Sequence, residues 1–189
     1  AEKGTRGGDT LNYFKKIYGL DYDLFEVVVP KDSKLVGINL NDIEHEERIR
    51  IVAIRSGSDD LRVGAGGLDR DTGITAGSVL GVLAEPGNLL AFTEKYGLDL
   101  RSELDTFADS LSSAKSGIAD VVIPPGSNLI GKSARDLWMR KTYGIALVAL
   151  HRDGETMREG EDIRNLPFKA GDSMVVHTCW VALERLESD

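Results

Sequence analysis

The stretch VVVPKDSKLVG at residues 27–37 returns as VVIPPGSNLIG at residues 121–131, an offset of 94 residues. The offset persists to the far end of each copy, where Ala-Gly-Ser at residues 76–78 corresponds to Ala-Gly-Asp at residues 170–172. A solenoid would need at least three short copies. The repeat therefore predicts a duplicated small domain.

The length of 189 residues divides naturally into two lobes of roughly 70 residues with connecting segments. We expect an N-terminal tail and short helix over residues 1–22, a first domain over 23–97, a helical linker over 98–117 and a second domain over 118–189. Domains this small bury a modest fraction of their surface. Packing of one copy on the other, and a homodimer of chains, are therefore expected, and light scattering would detect the dimer.

Composition restricts the function classes. A net charge of −8 argues against nucleic acid as a partner, because nucleic-acid affinity comes from neutralising phosphates. The single cysteine, Cys179, excludes an internal disulfide and favours a reducing compartment. A membrane helix needs about 20 apolar residues, and the longest apolar runs are much shorter. Because the chain starts at Ala1 rather than at a methionine, we expect a soluble piece of a larger protein.

Each copy predicts the element order β-α-β-β-β-α, an α+β fold with the helices on one sheet face. Both helix starts carry a capping residue followed three residues later by aspartate: Asn39 with Asp42, and Ser133 with Asp136. The second helix is expected to end at Gly144. Between the copies, apolar residues at helical spacing predict a linker helix.

The second copy contains three diagnostic segments: residues 120–133, YGIALVALHRDG at 143–154 and Ala-Gly-Asp at 170–172. In these segments it resembles the TrkA-C domain, also called the RCK C-terminal domain, a regulatory module of ion channels and transporters. The first copy matches more loosely, because Ser78 replaces the usual aspartate and its helix-to-strand segment is about two residues shorter.

Two such domains in tandem resemble the cytosolic insert of bacterial divalent-anion:sodium symporter-type permeases. The resemblance implies a module at the cytoplasmic face of the inner membrane, with the transmembrane helices of a parent transporter as partners. It also permits a regulatory nucleotide such as cyclic di-AMP, or an ion, although no residue selects among them. No resident cofactor is expected, because the Rossmann half that usually precedes the RCK C-terminal half is missing from this sequence.

Several motifs resemble sites and are better explained structurally. The glycine-rich segment 64–67 lacks the G-x-G-x-x-G spacing of a nucleotide loop, and His45 lacks the second histidine of an H-E-x-x-H helix. Cys179 and His177 lack the orienting third group of a nucleophile pair. Trp138 and Trp180 are expected to pack in the core or at an interface. The acidic loop residues, whose spacing is not that of an EF-hand, are Asp59, Asp60, Asp69 and Asp71. We therefore predict no catalytic residues and no metal site.

The remaining ligand-binding candidates are His151, Arg152 and His177, which could form a basic corner for an anion. Three functions stay open: a regulatory, ligand-sensing or assembly module of an ion or anion transporter; a stand-alone gating subunit of a potassium uptake system; and a small enzyme. The enzyme has the least support, because neither copy contains an acid-base or nucleophile cluster. Hydrophobic stretches of about 20 residues flanking this sequence in its gene would favour the first function.

Overall fold

The computed structural model describes residues 7–63, 67–68, 70–158 and 162–187. A 12-residue helix precedes the first lobe, and a two-residue strand follows the last helix of that lobe. The elements up to that strand are α1 (Gly7–Tyr18), β1 (Asp23–Val28), α2 (Leu40–Glu47), β2 (Arg50–Ser56), β3 (Asp60–Val63), β4 (Val79–Ala84), α3 (Pro86–Tyr96) and β5 (Asp99–Leu100).

The second lobe repeats this order with a shorter first helix. Its elements are β6 (Ser116–Val122), α4 (Met139–Tyr143), β7 (Ala146–Arg152), β8 (Glu155–Arg158), a 3-10 turn (Ile163–Asn165), β9 (Ser173–Cys179) and α5 (Trp180–Glu187). The predicted α+β fold with two β-α-β-β-β-α lobes is confirmed.

Both lobes contain antiparallel sheets with the same arrangement of corresponding strands. The first sheet has the order β3-β2-β4-β1-β5, and the second, taken from its opposite edge, has the order β8-β7-β9-β6. Corresponding register shifts occur between Ile51 and Ala53 in β2 and between Leu147 and Ala149 in β7. The first sheet differs by the additional strand β5.

Each sheet has one face covered by its own helices and the other face turned toward the second sheet. The core between the sheets includes Val52 of β2 and Val148 of β7, both buried. Phe14 of α1 and Phe107 of the connecting segment also belong to it. The two lobes therefore share one apolar interface, which buries surface that a lobe of this size could not bury alone.

The predicted helix starts are found, with one difference. The Asn39 side chain accepts the Asp42 amide at 3.0 Å, as expected of an N-cap. Ser133 and Asp136 form a reciprocal capping box at 3.0 and 3.1 Å. The turn after Ser133 does not continue as a helix, because Trp138 adopts a left-handed backbone at φ 50° and α4 begins only afterwards.

The predicted linker helix over residues 98–117 is wrong. Residues 99–100 pair with β1, and the following segment, up to β6, consists of turns. The buried carboxylate of Glu26 accepts the amides of Asp105 and Phe107 at 3.1 and 3.0 Å. These two amides therefore bond a side chain of the first sheet and not the backbone carbonyl groups that would accept them in an α-helix. The apolar residues that suggested helical spacing pack into the core between the sheets, as Phe107 and Leu111 do.

Candidate functional site between the two lobes

A cavity of about 80 Å³ lies where α2 of the first lobe meets α4 of the second. Cationic side chains dominate its lining, with Glu44 as the one acid among the described residues around it. This concentration contrasts with the net charge of −8 for the whole chain. We call this cavity the interlobe pocket; its cations are Arg50, Arg70, Arg135, Arg140, Lys141 and Arg164.

Glu44 is buried at the base of the interlobe pocket, with only 1% of its surface exposed. Arg140 of the other lobe donates two hydrogen bonds to its carboxylate, each at 2.6 Å. Arg50 and the Ile51 amide donate to the same carboxylate at 3.3 and 3.2 Å. Burial alone would raise the Glu44 pKa, but the charges of Arg140 and Arg50 outweigh it and hold the pKa below its usual value. Glu44 is therefore an ionised bridge between the lobes.

Aromatic and polar contacts complete the rim of the pocket. The Arg70 guanidinium lies 4.1 Å from the centre of the Trp138 ring, a cation–π contact that again joins the two lobes. Arg164 donates to the Asn41 side chain at 2.9 Å. Trp138 is 43% exposed, and its left-handed backbone is strained for a bulky residue. Such strain is common in binding sites, where surrounding contacts impose it.

Two cations at the rim differ from those at the base. Arg135 and Lys141 are exposed, and neither is paired with a carboxylate by a hydrogen bond or salt bridge among the described residues. Arg50 and Arg140, the cations at the base of the pocket, already donate hydrogen bonds to Glu44. The rim therefore offers positive charge to an anion, and the pocket has room for a phosphate- or carboxylate-sized group.

Glu44 and Arg140 occupy corresponding positions in the two lobes. Arg48 and Gly144 are the left-handed C-caps of α2 and α4, and each of the paired residues lies four positions before its cap. The two positions that face each other across the interface thus carry opposite charges. This arrangement favours pairing of the first lobe with the second, because two copies of one lobe would bring like charges together.

The residues around the Glu44 side of the pocket match a known family. The family model of the TrkA-C domain covers residues 24–97. Residues 24–97 form a TrkA-C domain. Helix α2, with Asn41 and Glu44, and strand β2, with Arg50, all belong to it.

Curated relatives of this chain are described as transporters. An uncharacterized transporter of Synechocystis sp. is 26% identical over 157 residues, covering 80% of this chain and 25% of that protein. A probable sodium/sulfate cotransporter of Chlamydomonas reinhardtii is 26% identical over 117 residues, covering 60% of this chain and 13% of that protein. The chain spans a quarter or less of the length of these relatives.

A solved structure of the GsuK RCK domain covers 88% of this chain and 63% of its own, with a TM-score of 0.37 and 8% sequence identity. That likeness is too weak to support an inference about this chain. No helix among residues 7–63, 67–68, 70–158 and 162–187 is long and apolar enough to cross a membrane.

The structure does not bring the three predicted ligand-binding residues together. His151 pairs with Ser173 on β9, four residues from His177, which corresponds to about 13 Å along a strand. The His151 ring lies within 2.9 Å of the Thr156 hydroxyl and packs against Tyr18. Ligand binding by these residues individually stays a prediction; a basic corner shared by all three is not present.

Arg152 is held by the second lobe itself. It forms two hydrogen bonds with Asp172, at 2.8 and 2.6 Å, and a third with the Pro167 carbonyl at 2.8 Å. Asp172 stands 94 residues after Ser78, which bonds Thr75 instead. Ser56 stands at the strand end that corresponds to Arg152, so the first lobe has neither the aspartate nor the arginine of this pair.

Other residues singled out from the sequence lie elsewhere in the fold or outside the described part of the chain. Cys179 is half-buried, and desolvation raises the pKa of its thiol. His45 is exposed on α2. Trp180 packs against Gly117 and donates to the Ser113 carbonyl at 3.0 Å, whereas Trp138 lies at the pocket. Residues 64–66 of the glycine-rich segment 64–67, together with Asp69, lie outside the described residues. Asp60 pairs with Arg62 on the exposed β2–β3 hairpin.

His177 is buried between the sheets, beside a cavity of about 20 Å³ that Arg140 also lines. Its Nε2 atom has no hydrogen-bond partner among the described residues. Desolvation lowers the His177 pKa from 6.5 to about 4. The neutral imidazole is therefore the form compatible with the folded interface, and protonation would place a charge beside Arg140.

Folding stability should depend on His177 between pH 6.5 and about pH 4. Because its folded pKa lies below its unfolded value, the unfolded chain binds more protons in that window, and stability falls as the pH falls. We expect a loss of about 2 kcal/mol between pH 6.5 and about pH 4.5, measured by urea unfolding. His177→Phe should flatten this part of the profile, whereas His151→Gln should retain it. An unchanged slope in His177→Phe would contradict the assignment.

Proposed function

We propose that this chain is a regulatory unit of a membrane transporter of ions or anions, and that a small anionic ligand in the interlobe pocket controls how its two lobes pair. The TrkA-C domain at residues 24–97 and the transporter relatives support the transporter context. The observation that carries the ligand proposal is the convergence of cations from both lobes on one pocket.

The second lobe, over residues 118–189, is proposed to be a second domain of the TrkA-C type, following the first at residues 23–97. Its support is the shared order of corresponding strands and the matching register shifts. We place the unit at the cytoplasmic face of the membrane, attached to the transmembrane helices of the transporter. The homodimer of chains stays a prediction.

Ligand control follows from the position of the pocket across the interface. An anion that contacts Arg135 and Lys141 of the second lobe and Arg70 of the first would bind the paired arrangement more tightly than a separated one. A ligand shifts a conformational equilibrium only by such a difference in affinity. The Glu44–Arg140 bridge keeps the lobes aligned in the absence of ligand. The anion adds a second connection at the rim, and the transporter would respond to the altered pairing.

The test is anion binding by a variant that lacks the two rim cations. Arg135→Ala combined with Lys141→Ala should weaken binding of pyrophosphate at least about tenfold, because each charge-assisted hydrogen bond contributes about 1.5–3 kcal/mol. Quenching of tryptophan fluorescence and the ligand-induced rise in Tm, both at constant ionic strength, report the affinity.

The matched control removes two exposed cations that do not line the pocket, Lys31→Ala combined with Lys34→Ala. Because both variants lose the same charge, general attraction of anions changes equally in each. Equal weakening in the two variants, or no saturable binding to the unmodified chain, would overturn the pocket as the ligand site.

A further inference from the structure

The outer edges of the corresponding strands β1 and β6 differ. On β1, the edge is covered by β5: Leu100 pairs with Val27, and the Arg101 amide donates to the Glu26 carbonyl at 2.9 Å. In the described part of the chain, β6 pairs with β9 alone and has no strand on its other side.

The register of the repeat shows which part of β6 is open. Val27 pairs with Leu80 in the first sheet, and Val121 pairs with Met174 in the second, so both strands follow the offset of 94 residues. Alternate residues of a strand bond the same neighbour in an antiparallel sheet. Since residues 26 and 28 face β5, the backbone groups of residues 120 and 122 face outward.

The side chains at the two edges reflect the difference in cover. The Glu26 side chain is fully buried and binds Arg101, which follows β5 directly. Its counterpart Asp120 is exposed and accepts one hydrogen bond, from the Tyr18 hydroxyl at 3.0 Å. Val122 is 60% exposed. The edge of β6 thus combines an exposed valine, an unburied carboxylate and backbone groups without a partner strand among the described residues.

Charge distinguishes among strands that could cover this edge. A second copy of β6 would bring Asp120 close to its own counterpart, and each chain carries a net charge of −8. Like charges on neighbouring strands are destabilising. A strand with a basic residue at the position of Arg101 would instead satisfy Asp120 as Arg101 satisfies Glu26.

We propose that the edge of β6 at residues 120–122 is a docking site for an extended strand of the transporter polypeptide from outside residues 1–189. The strand binds antiparallel to β6, with an apolar residue opposite Val121 and an arginine or lysine next to it, directed at Asp120. This is β-strand addition, in which backbone hydrogen bonds provide affinity and side chains provide specificity. The source of the strand rests on the proposed function; the chemistry of the edge does not.

A graft built on the repeat tests the site. Helix α5 begins 94 residues after α3, so replacing residues 188–189 by the sequence of residues 94–101, EKYGLDLR, places a copy of β5 in register with β6. Attachment in the same chain gives the strand a high effective concentration. We expect the amides of Asp120 and Val122 to exchange hydrogen about tenfold more slowly in the grafted chain.

Two variants of the graft test its specificity. Glutamate in place of the grafted arginine should abolish the slowing of amide exchange, because its negative charge would lie next to that of Asp120. Val122→Pro in the grafted chain should also abolish protection of the Asp120 amide, since it removes an outward N–H while edge strands tolerate proline. Unchanged exchange in the grafted chain overturns the docking site, and equal protection with the grafted glutamate overturns the basic strand.

The outcome of the graft experiment does not depend on whether the interlobe pocket binds an anion. A chain that binds pyrophosphate but leaves β6 unprotected by the graft contradicts the docking proposal and leaves the proposed function intact. A chain that accepts the graft without binding pyrophosphate contradicts the ligand proposal and leaves the docking site intact.

Discussion

Replacing Glu44 by glutamine is expected to lower the free energy of unfolding by about 3–5 kcal/mol, because removing one partner of a buried ion pair leaves the other charge uncompensated. Arg140 and Arg50 both donate hydrogen bonds to this carboxylate, and their side chains are only 14% and 6% exposed. The loss should be largest near neutral pH. It should shrink in acid, since a carboxylate with a depressed pKa contributes stability that disappears as the pH falls through the folded pKa. Urea unfolding at several pH values measures both effects.

Glu46→Gln is the matched control on the same helix. Glu46 is 65% exposed and pairs with Lys95 at the surface, so its loss should cost less than about 1 kcal/mol. Combining Glu44→Gln with Arg140→Gln should recover part of the loss, since no unpaired guanidinium from Arg140 remains. A small loss for Glu44→Gln, equal to that of the control, would contradict the role of Glu44 as the bridge between the lobes.

Replacing Glu26 by alanine is expected to cost about 3 kcal/mol, because three donors lose a buried acceptor at once. These are the Arg101 guanidinium and the amides of Asp105 and Phe107. Burial alone would raise the Glu26 pKa, but these donors outweigh it and hold the pKa below its usual value. The substitution should therefore loosen the connecting segment as well as the sheet, and hydrogen exchange at Phe107 reports the local part of the effect.

Asp120→Ala is the control supplied by the repeat. Asp120 stands 94 residues after Glu26 but is exposed and bonds one hydroxyl, that of Tyr18, so about 1 kcal/mol or less is expected. Equal losses at the two sites would show that burial of Glu26 beneath the connecting segment does not determine its contribution.

Local signals of the sequence were sufficient for most of the fold. Asn39 and Gly144 cap helices because their side-chain acceptor and left-handed backbone act within one turn. The turn after Arg152 is a two-residue hairpin with positive φ at Asp153 and Gly154, the backbone that an Asp-Gly pair favours. Each of these features depends on residues a few positions apart, so the local sequence is enough to predict the helix caps and the turn.

The failed predictions involve competition between local and tertiary contacts. Residues 98–117 have helical spacing, but Glu26, some 80 residues earlier in the sequence, binds the amides that a helix would use. Trp138 breaks the helix expected after Ser133 and instead stacks with Arg70 of the other lobe. Neither partner could be identified from the local sequence.

The candidate site was missed because its residues are scattered along the chain. Arg70, Arg140 and Arg164 show no motif, and the residues proposed from the sequence lie elsewhere or are engaged with Asp172 and Thr156. One signal was present. Aligning the ends of the two helices, rather than the turns that the copies share, places Glu44 at the position of Arg140. Opposite charges at corresponding positions of a repeat suggest contact between the copies.

The sequence by itself determined the order of elements in each lobe and the caps and turns that end them, because these depend on periodicity and short-range hydrogen bonds. Only the tertiary structure decided that the sheets share a core, that Glu44 bridges to Arg140 and that β5 covers β1 while no strand in the described part of the chain covers the edge of β6. These features are set by which surfaces meet, and residues that meet across the interface, such as Glu44 and Arg140, are separated by about a hundred positions in the chain.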